Sequence, residues 1–201
     1  MAYEPLENPF WGRGDLDEIT PNTEAAVSIE EIKAFLKITN DDESAELLRA
    51  ALQATRFVQG ETGRAVTSVG LKLHIDAFPC VIELPYPPLL TPSTTNPLVK
   101  YVDTNGTEQT IASTLYQVHA TKDQIRIVPA YGEVWPTPRL QLSAVRVTYT
   151  CGYAQASVPA DVKFAVLCRL KLDRSDQLTG TELREAQGGY DRTINTLRRV
   201  A

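Results

Sequence analysis

The sequence is poor in the residues that most catalytic and metal sites need. It holds two histidines and three cysteines among 201 residues. Cys80, Cys151 and Cys168 are widely spaced and form no Cys-x-x-Cys pair, which argues against a zinc site. His74 and His119 are far apart, and no Gly-x-Ser-x-Gly motif accompanies them, so a Ser–His–Asp hydrolase is disfavoured. We predict no catalytic residue, no metal site and no cofactor.

Long apolar runs and concentrated positive charge are also missing. No stretch approaches the roughly 18 apolar residues of a membrane span, and the N-terminus lacks the pattern of a secretory signal. The net charge is -5, which disfavours broad binding of nucleic acid. The Gly12-Arg13-Gly14 triplet follows no strand pattern, so no dinucleotide site is expected. We expect a soluble, intracellular protein with reduced cysteines and no membrane partner.

Residues 1–27 are predicted to form an extended N-terminal arm, because prolines and glycines interrupt them. The arm carries Phe10 and Trp11, which a purely disordered tail does not need. Two interpretations therefore stay open. Either the arm is flexible, or it docks on a neighbouring subunit through these two aromatic residues.

Residues 28–64 are predicted to form a helical pair. Ser28 and Glu31 have the spacing of a capping box, and Gly63 suits the left-handed residue that commonly follows a helix. Apolar residues at helical spacing predict the core-facing side of the pair. They are Ile29, Ile32, Phe35, Leu36, Leu47, Leu48, Ala51, Ala54, Thr55 and Val58.

Residues 65–156 are predicted to form a β-rich insertion, because the period of the apolar residues changes to two. Lys72, His74 and Asp76 alternate with apolar neighbours, which puts His74 on the solvent face. Asn105-Gly106 separates two strand patterns and indicates a tight hairpin. Six or seven short strands are expected, in an antiparallel sheet or small β-sandwich.

The chain is predicted to end with a closing helix over 157–175 and a tail over 176–201. Ser157 is the expected cap of the closing helix, and the run Val162–Leu172 is apolar on several sides, which predicts burial on more than one side. Within the tail, polar residues and glycines indicate a loop or weak helix over 175–189. A short helix is expected over 191–200. The predicted class is thus α+β, with a helical bundle body around an inserted β region.

A binding groove lined by aromatic side chains is an alternative interpretation of the β region. Trp135, Tyr131 and Tyr86 lie near prolines, and aromatic rings give large contact areas at small entropic cost. Such a groove would bind a carbohydrate or a peptide. Packing of the rings in turns and core is the preferred interpretation of the same residues. The alternative function is therefore a carbohydrate- or peptide-binding β module.

The order of these motifs resembles the head-tail connector (adaptor) proteins of long-tailed phages and related gene transfer particles. The resemblance covers residues 28 to about 174, and its specificity lies in the shared order of modest motifs. The motifs are Ser28–Ile38, Glu61–Arg64, Ile82–Leu89, Val99–Asp103, Asn105-Gly106, Tyr116–Val118, Val134–Pro136, Val145–Tyr149, Gly152-Tyr153 and Val158–Leu167.

The resemblance implies a structural role in a virion. It implies a helical body with a β insertion, assembled as a ring of twelve copies in the neck. One face of the ring would hold the portal protein, and the other would receive the tail-side stopper or tail completion protein. DNA would pass through the lumen during ejection without sequence-specific binding. Assembly and tail attachment would take place in the host cytoplasm.

The same resemblance implies that residues 190–201 engage the portal. We expect removal of this segment to abolish portal binding and to leave the isolated fold intact. We also expect Leu48→Asp to unfold the helical pair, because it would bury an unpaired charge. The implied portal-binding residues are Ile194, Leu197 and Val200 as apolar anchors, with Arg192, Arg198 and Arg199 as polar contacts.

Overall fold

Four α-helices and eight β-strands make up the described part of the chain, in a computed structural model that covers residues 14–40, 42–91, 96–174 and 178–199, the last without its side chain. The helices are α1 (Ile29–Leu36), α2 (Ser44–Thr62), α3 (Ala160–Asp173) and α4 (Gly180–Arg199). The strands are β1 (Asp15–Thr20), β2 (Val69–Ile75), β3 (Ile82–Leu84), β4 (Leu98–Val102), β5 (Glu108–Thr110), β6 (Tyr116–Ala120), β7 (Ile125–Pro129) and β8 (Val145–Cys151). The predicted α+β class is confirmed.

The four helices bury one hydrophobic core between them. On α2 the buried positions recur at helical spacing, from Leu47 through Ala54 to Val58. Helix α3 packs against both α2 and α4. Its predicted burial on more than one side is confirmed by the positions of its buried residues. They are Val162, Ala165, Val166, Cys168 and Leu170.

Local capping signals define the helical pair as the sequence predicts. The Glu31 N–H donates to the Ser28 hydroxyl at 3.3 Å, and the Ser28 N–H donates to the Glu31 carboxylate at 2.9 Å. This reciprocal pair is the predicted capping box. Gly63 follows α2 with a φ of 67°, and its N–H donates to the Gln59 carbonyl at 3.0 Å. Both predictions are confirmed.

Leu48 does not belong to the core of the helical pair. It is 41% exposed, whereas its neighbour Leu47 is 1% exposed. Consecutive helical residues are rotated by about 100° around the helix axis, so Leu47 and Leu48 cannot both point to the centre of the same core. The prediction that Leu48 faces the core was wrong. The unfolding expected for Leu48→Asp loses its basis with it.

The strands form two antiparallel sheets. The larger sheet has the order β1-β2-β8-β4-β5 and the smaller has the order β3-β7-β6. Val147 and Tyr149 of the larger sheet and Ile82 and Ile127 of the smaller sheet belong to one hydrophobic core, so the two sheets pack as a small sandwich. The Asn105-Gly106 turn joins β4 to β5, with a φ of 87° at the glycine. The predicted hairpin is confirmed.

The described part of the predicted N-terminal arm is built into the fold. Strand β1 pairs with β2 at the edge of the larger sheet, and Ala26 and Val27 are fully buried in the helical core. The sequence DLDEIT hid this strand because acidic residues are uncommon in strands. Neither a flexible arm nor a neighbour-docking arm describes residues 15–27. Phe10 and Trp11 lie outside the described residues.

Helix α3 begins later than the sequence predicts. Its N-cap is Pro159, which makes no side-chain capping bond. Ser157, the predicted cap, lies in the short 3-10 turn Gln155–Ser157. The fixed φ of proline allows it to precede the first helical residue, so the helix starts at Ala160. The prediction for Ser157 was wrong.

The predicted tail is one continuous helix where the structure describes it. A capping box of Thr179 and Glu182 precedes most of α4, because each backbone N–H donates to the other side chain. Of the two alternatives predicted for 175–189, a loop or a weak helix, the structure has a helix from Gly180 onward. A Cβ at Gly189 would lie 3.4 Å from the Phe164 ring. Gly189 therefore allows α4 to pack closely on α3. This packing favours the helix although glycine has a low intrinsic helix propensity.

The segment between β1 and α1 links the helical core to the end of the β region. The Thr67 hydroxyl, just before β2, donates to the Glu24 carbonyl at 3.1 Å. The Gln155 side-chain amide, just after β8, donates to the Ala25 carbonyl at 2.9 Å. The two points where the β insertion leaves and re-enters the helical body are thus held by the same short segment.

Candidate functional site

The two histidines lie in different sheets. His74 is on β2, on the face away from the core as predicted, and its Nε2 lies 3.0 Å from the Asp17 carboxylate on β1. The sequence missed this contact because it missed β1. His119 is exposed on β6, an edge strand of the smaller sheet, which confirms the prediction of a sheet-edge histidine. The fold therefore keeps the two imidazoles apart.

Burial makes two of the three cysteines poor nucleophiles. Cys80 is exposed, whereas Cys151 and Cys168 are buried. Burial raises the pKa of Cys151 to about 12 and that of Cys168 to about 11, so both are protonated thiols at neutral pH and weak nucleophiles. Among the residues that the structure describes, no three His, Cys, Asp or Glu side chains are grouped to hold a metal ion.

The three aromatic residues of the alternative groove have different surroundings. Trp135 stacks on Phe78, with ring centroids 4.9 Å apart and an interplanar angle of 11°. Tyr86 is partly buried against the core of the β region. Tyr131 is completely exposed. Packing, the preferred interpretation, describes Trp135 and Tyr86 but fails for Tyr131.

Helix α4 holds the implied portal-binding residues in contrasting positions. Ile194 and Leu197 are 3% and 9% exposed, and both belong to the helical core. Arg198 forms an ion pair with the Glu61 carboxylate of α2, and its Nε also donates to the Glu61 carbonyl at 2.8 Å. Arg192 is exposed. The side chain of Arg199 and the whole of Val200 lie outside the described residues.

Burial of α4 bears on the expected effect of truncation. The helix packs on both α3 and α2, and Tyr190 joins Ile194 and Leu197 in the core. Loss of residues 190–201 would therefore remove core side chains. This burial argues against the expectation that the isolated fold stays intact without this segment.

A surface that the sequence analysis missed lies between β7 and β8. We call residues 131–142 the apolar loop. It carries the most exposed large hydrophobic side chains among the described residues, and their exposed fractions run from 82% to 102%. They are Tyr131, Val134, Leu140 and Leu142. The local pattern gave no signal of this exposure, because Leu140 and Leu142 alternate with polar residues as in a half-buried strand.

The apolar loop is held at its base by the larger sheet. Trp135 stacks on Phe78, which also contacts Tyr101 of β4 edge to face at 5.9 Å. The Arg139 N–H donates to the Val102 carbonyl at 2.8 Å. These contacts fix the middle of the loop, while its apolar side chains extend into solvent. Such an arrangement suits a contact with another macromolecule.

Comparisons with known proteins show a similarity of fold alone. No protein-family model matches the chain, and no curated protein sequence matches it. Among solved structures, a chain of the native gene transfer agent particle neck, computed with C12 symmetry, has a TM-score of 0.69 and 21% identity over 92% of this chain and 94% of that chain. The chain shares the fold of that neck chain, which we call the particle-neck fold.

Two further chains of gene transfer agent particles share the particle-neck fold. One belongs to the native virion, with a TM-score of 0.69 and 22% identity over 91% of this chain and 94% of that chain. The other belongs to the neck of the empty particle, computed with C6 symmetry, with a TM-score of 0.66 and 22% identity over 83% and 86%. The resemblance predicted from the motifs is confirmed for the fold.

The extent of these matches shows that the particle-neck fold includes both halves of this chain. More than nine-tenths of the chain superposes in two of the three comparisons, so the helical body and the inserted sheets are shared together.

In the described ranges, no helix is both long and apolar enough to cross a bilayer.

Proposed function

We propose that this chain is a structural adaptor in the neck of a phage-like particle. The observation that carries the proposal is the similarity, over 92% of the chain, to a neck chain of a gene transfer agent computed with C12 symmetry. The proposed assembly is a ring of twelve copies. The ring lies between the portal protein and the tail-side stopper or tail completion protein, and it is built in the host cytoplasm before it becomes part of the virion.

The charge of the chain supports passage of DNA through such a ring without retention. The net charge is -5. A mildly acidic wall repels phosphates at short range, so DNA slides past it instead of binding. The lumen of the proposed ring therefore conducts DNA without reading its sequence.

The state of the buried thiols supports a structural role over a catalytic one. Cys151 and Cys168 have raised pKa values because they are buried. The His74 Nε2 lies 3.0 Å from the Asp17 carboxylate, and His119 lies at a sheet edge. Nucleophilic catalysis needs a nucleophile beside a base, and these groups are dispersed through the fold. The proposed work of the chain is binding to other subunits.

We further propose that residues 190–201, which include the end of α4, bind the portal. Ile194 and Leu197 are already packed inside the chain, so the contact in this conformation relies on Arg192 and on the residues at the end of the chain. Arg198 supports the helix from the side through its ion pair with Glu61. An exposed arginine offers five N–H donors to a carboxylate-bearing surface.

Reconstitution with purified portal protein tests the proposal. The full chain should bind portal and join a ring, and the ring should appear in the neck when assembled particles are imaged. Arg192→Glu should weaken portal binding at least about tenfold, because it reverses the charge at the contact. Arg184→Glu, which reverses an exposed charge near the start of the same helix, serves as the control and should bind normally.

Two results would count against the adaptor function. The first is absence of the chain from the neck of assembled particles. The second is full-strength portal binding by Arg192→Glu, which would reject the α4 contact while leaving the adaptor role to be judged from the particle images.

A further inference from the structure

The sandwich of the β region has a groove along one side. Among the described strands, β1 forms one edge of the five-stranded sheet and β3 forms one edge of the three-stranded sheet. The groove lies where these two edges meet, has a volume of about 460 Å³, and is lined mainly by residues of β1, β2, β3 and β7. Its volume falls within the roughly 300–1,000 Å³ of clefts that hold small ligands. This side of the sandwich can therefore receive an inserted side chain.

Much of the groove is apolar, and its apolar residues come from both sheets and from the segment after β3. They are Leu16, Leu73, Leu84, Pro85 and Ile125. Leu73 is 2% exposed, whereas Leu16, which pairs with it in register at the edge of the sheet, is only partly buried. The core of the β region thus ends here in an incompletely covered leucine. An apolar side chain in the groove would remove this remaining surface from water, which is favourable.

The three charged residues that line the groove are already paired within the chain. The Arg126 Nε donates to the Glu83 carboxylate at 3.0 Å. The Asp123 carboxylate accepts from Arg64 at 2.6 Å. A charged ligand would have to compete with these internal partners, whereas an apolar occupant leaves them undisturbed. The groove therefore favours an apolar occupant.

The described chain enters the fold at this groove. Gly14 itself lines the groove. A Cβ at Gly14 would lie 1.7 Å from the His74 carbonyl oxygen, so the backbone at this point is held closely against β2. Trp11 and Phe10 precede Gly14 by three and four residues, and three residues of extended chain span at most about 11 Å. Both aromatic residues are therefore tethered within a short distance of the groove.

The residues between the aromatic pair and β1 permit the chain to reverse its direction. In Gly12-Arg13-Gly14, a glycine stands on each side of the arginine. Glycine adopts the backbone conformations of tight turns without steric cost. A reversal at this triplet would bring residue 11 back over Leu16 and Pro85. The triplet thus allows a tether of only three residues to reach the apolar part of the groove.

We propose that the aromatic pair Phe10-Trp11 docks in the groove between the β1 and β3 edges of its own chain. The short tether favours this occupant over a second copy, because a linked segment has an effective concentration on the order of millimolar. An aromatic side chain also buries about 150–250 Å². The docked segment covers two strand edges that could otherwise pair with strands of other chains. The inference goes beyond the adaptor function and does not depend on it.

A photo-reactive phenylalanine analogue in place of Trp11 tests the contact in the full-length chain. Isotopically light and heavy chains are mixed in equal amounts and irradiated, and the cross-linked peptides are identified by mass spectrometry. Links from residue 11 to residues 83–85 or 123–126 of the same chain are expected. Links between light and heavy chains would assign the segment to a second copy and overturn the proposal. Links to other surfaces only, or no links, would overturn it as well.

Substitution of the aromatic pair gives an independent measure. Phe10→Ser with Trp11→Ser should accelerate amide hydrogen exchange several-fold in β1 and β3, because the two edges lose their cover. Exchange in β5, at the opposite edge of the larger sheet, should not change. Tyr3→Ser, which changes an aromatic residue farther from Gly14, is the matched control and should exchange like wild type. Unchanged exchange in β1 and β3 of the double variant, or an equal effect of Tyr3→Ser, would contradict the docking.

Discussion

Arg64 and Asp123 join the two halves of the molecule, with Nη2 of the arginine 2.6 Å from Oδ1 of the aspartate. Arg64 follows the end of α2, and Asp123 lies in the turn between β6 and β7. The Nη1 of Arg64 also donates to the Lys122 carbonyl at 2.8 Å. A single guanidinium therefore ties the helical body to the smaller sheet.

Removing this guanidinium should destabilise the fold. Arg64→Met deletes a charge-assisted hydrogen bond between side chains that are 11% and 25% exposed. We expect it to lower the free energy of unfolding by about 2 kcal/mol. Arg126→Met is the control, since it breaks the exposed Arg126–Glu83 pair and should cost less than about 1 kcal/mol. Urea denaturation measures both. Equal losses would show that burial adds nothing to the Arg64 contact.

Adjacent leucines on α2 should differ sharply in their tolerance of substitution. Leu47 is 1% exposed and Leu48 is 41% exposed. Leu47→Ala should lower the free energy of unfolding by about 2–5 kcal/mol, because it leaves a cavity in the helical core. Leu48→Ala should cost less than about 1 kcal/mol. Thermal or urea unfolding of the two variants decides the point, and a larger loss for Leu48→Ala would contradict the orientation of the helix.

Two glycines should respond to alanine in opposite directions. A Cβ at Gly152 would lie 2.1 Å from the Thr67 carbonyl oxygen, and its φ is 102°. Gly152→Ala should therefore cost at least about 3 kcal/mol, through clash and backbone strain. Gly188 lies within α4, and a Cβ there meets no neighbour within 4 Å. Gly188→Ala should stabilise the protein by about 0.5–1 kcal/mol. A tolerated Gly152→Ala would refute the close approach of the two backbones.

The ion pair between Glu31 and Lys163 should make the free energy of unfolding depend on pH. The carboxylate lies 2.8 Å from the ammonium, and hydrogen bonds from Lys163 and then from the Ser28 backbone lower the pKa of Glu31 below its ordinary 4.5. Because the pKa of Glu31 is lower in the folded than in the unfolded state, its ionisation stabilises the folded protein at pH values above the unfolded-state pKa. That stabilisation is lost as the pH falls through the folded-state pKa.

Glu31→Gln isolates that contribution, because glutamine keeps the capping box and removes the charge. We expect a loss of no more than about 1 kcal/mol at neutral pH, since the carboxylate is partly exposed. The difference from wild type should narrow as the pH falls below 4.5. Unfolding curves across that range test the sign, and a difference that widens in acid would contradict it. Lys163→Gln should give a similar loss at neutral pH.

Truncation before Tyr190 should destabilise the helical body. The segment contributes Tyr190, Ile194 and Leu197 to the core, and loss of several buried side chains removes a large part of the stability of a small domain. The truncated protein should melt at a much lower temperature than wild type in calorimetry. Unchanged melting would show that α4 adds little to the fold. Portal binding is therefore better tested with Arg192→Glu in the full chain.

Features set by near neighbours in the chain were predictable. The Ser28–Glu31 capping box, the Gly63 helix end and the Asn105-Gly106 turn each depend on a few consecutive residues, and each is present in the structure. The apolar character of α3 on several sides likewise predicted its burial. These signals sufficed for the α+β class and for the order of the helical body and its β insertion.

Features set by distant residues were not predictable. Strand β1 has an acidic sequence, and its pairing depends on β2, more than fifty residues later. The choice between Leu47 and Leu48 as the core residue depends on how α2 is rotated against α3. The exposure of the apolar loop depends on its anchoring by Phe78 and Val102. None of these partners is visible from the local pattern.

The sequence by itself determined the start of α1, the end of α2 and the turn at Asn105-Gly106, because capping and turn formation involve side chains within about four residues of one another. It also determined the mildly acidic charge. Only the tertiary structure decided that Ile194 and Leu197 are inside and that Tyr131 and Leu140 are outside. The physical reason is that hydrophobicity alone gives no direction: an apolar side chain is buried only where another element arrives to cover it.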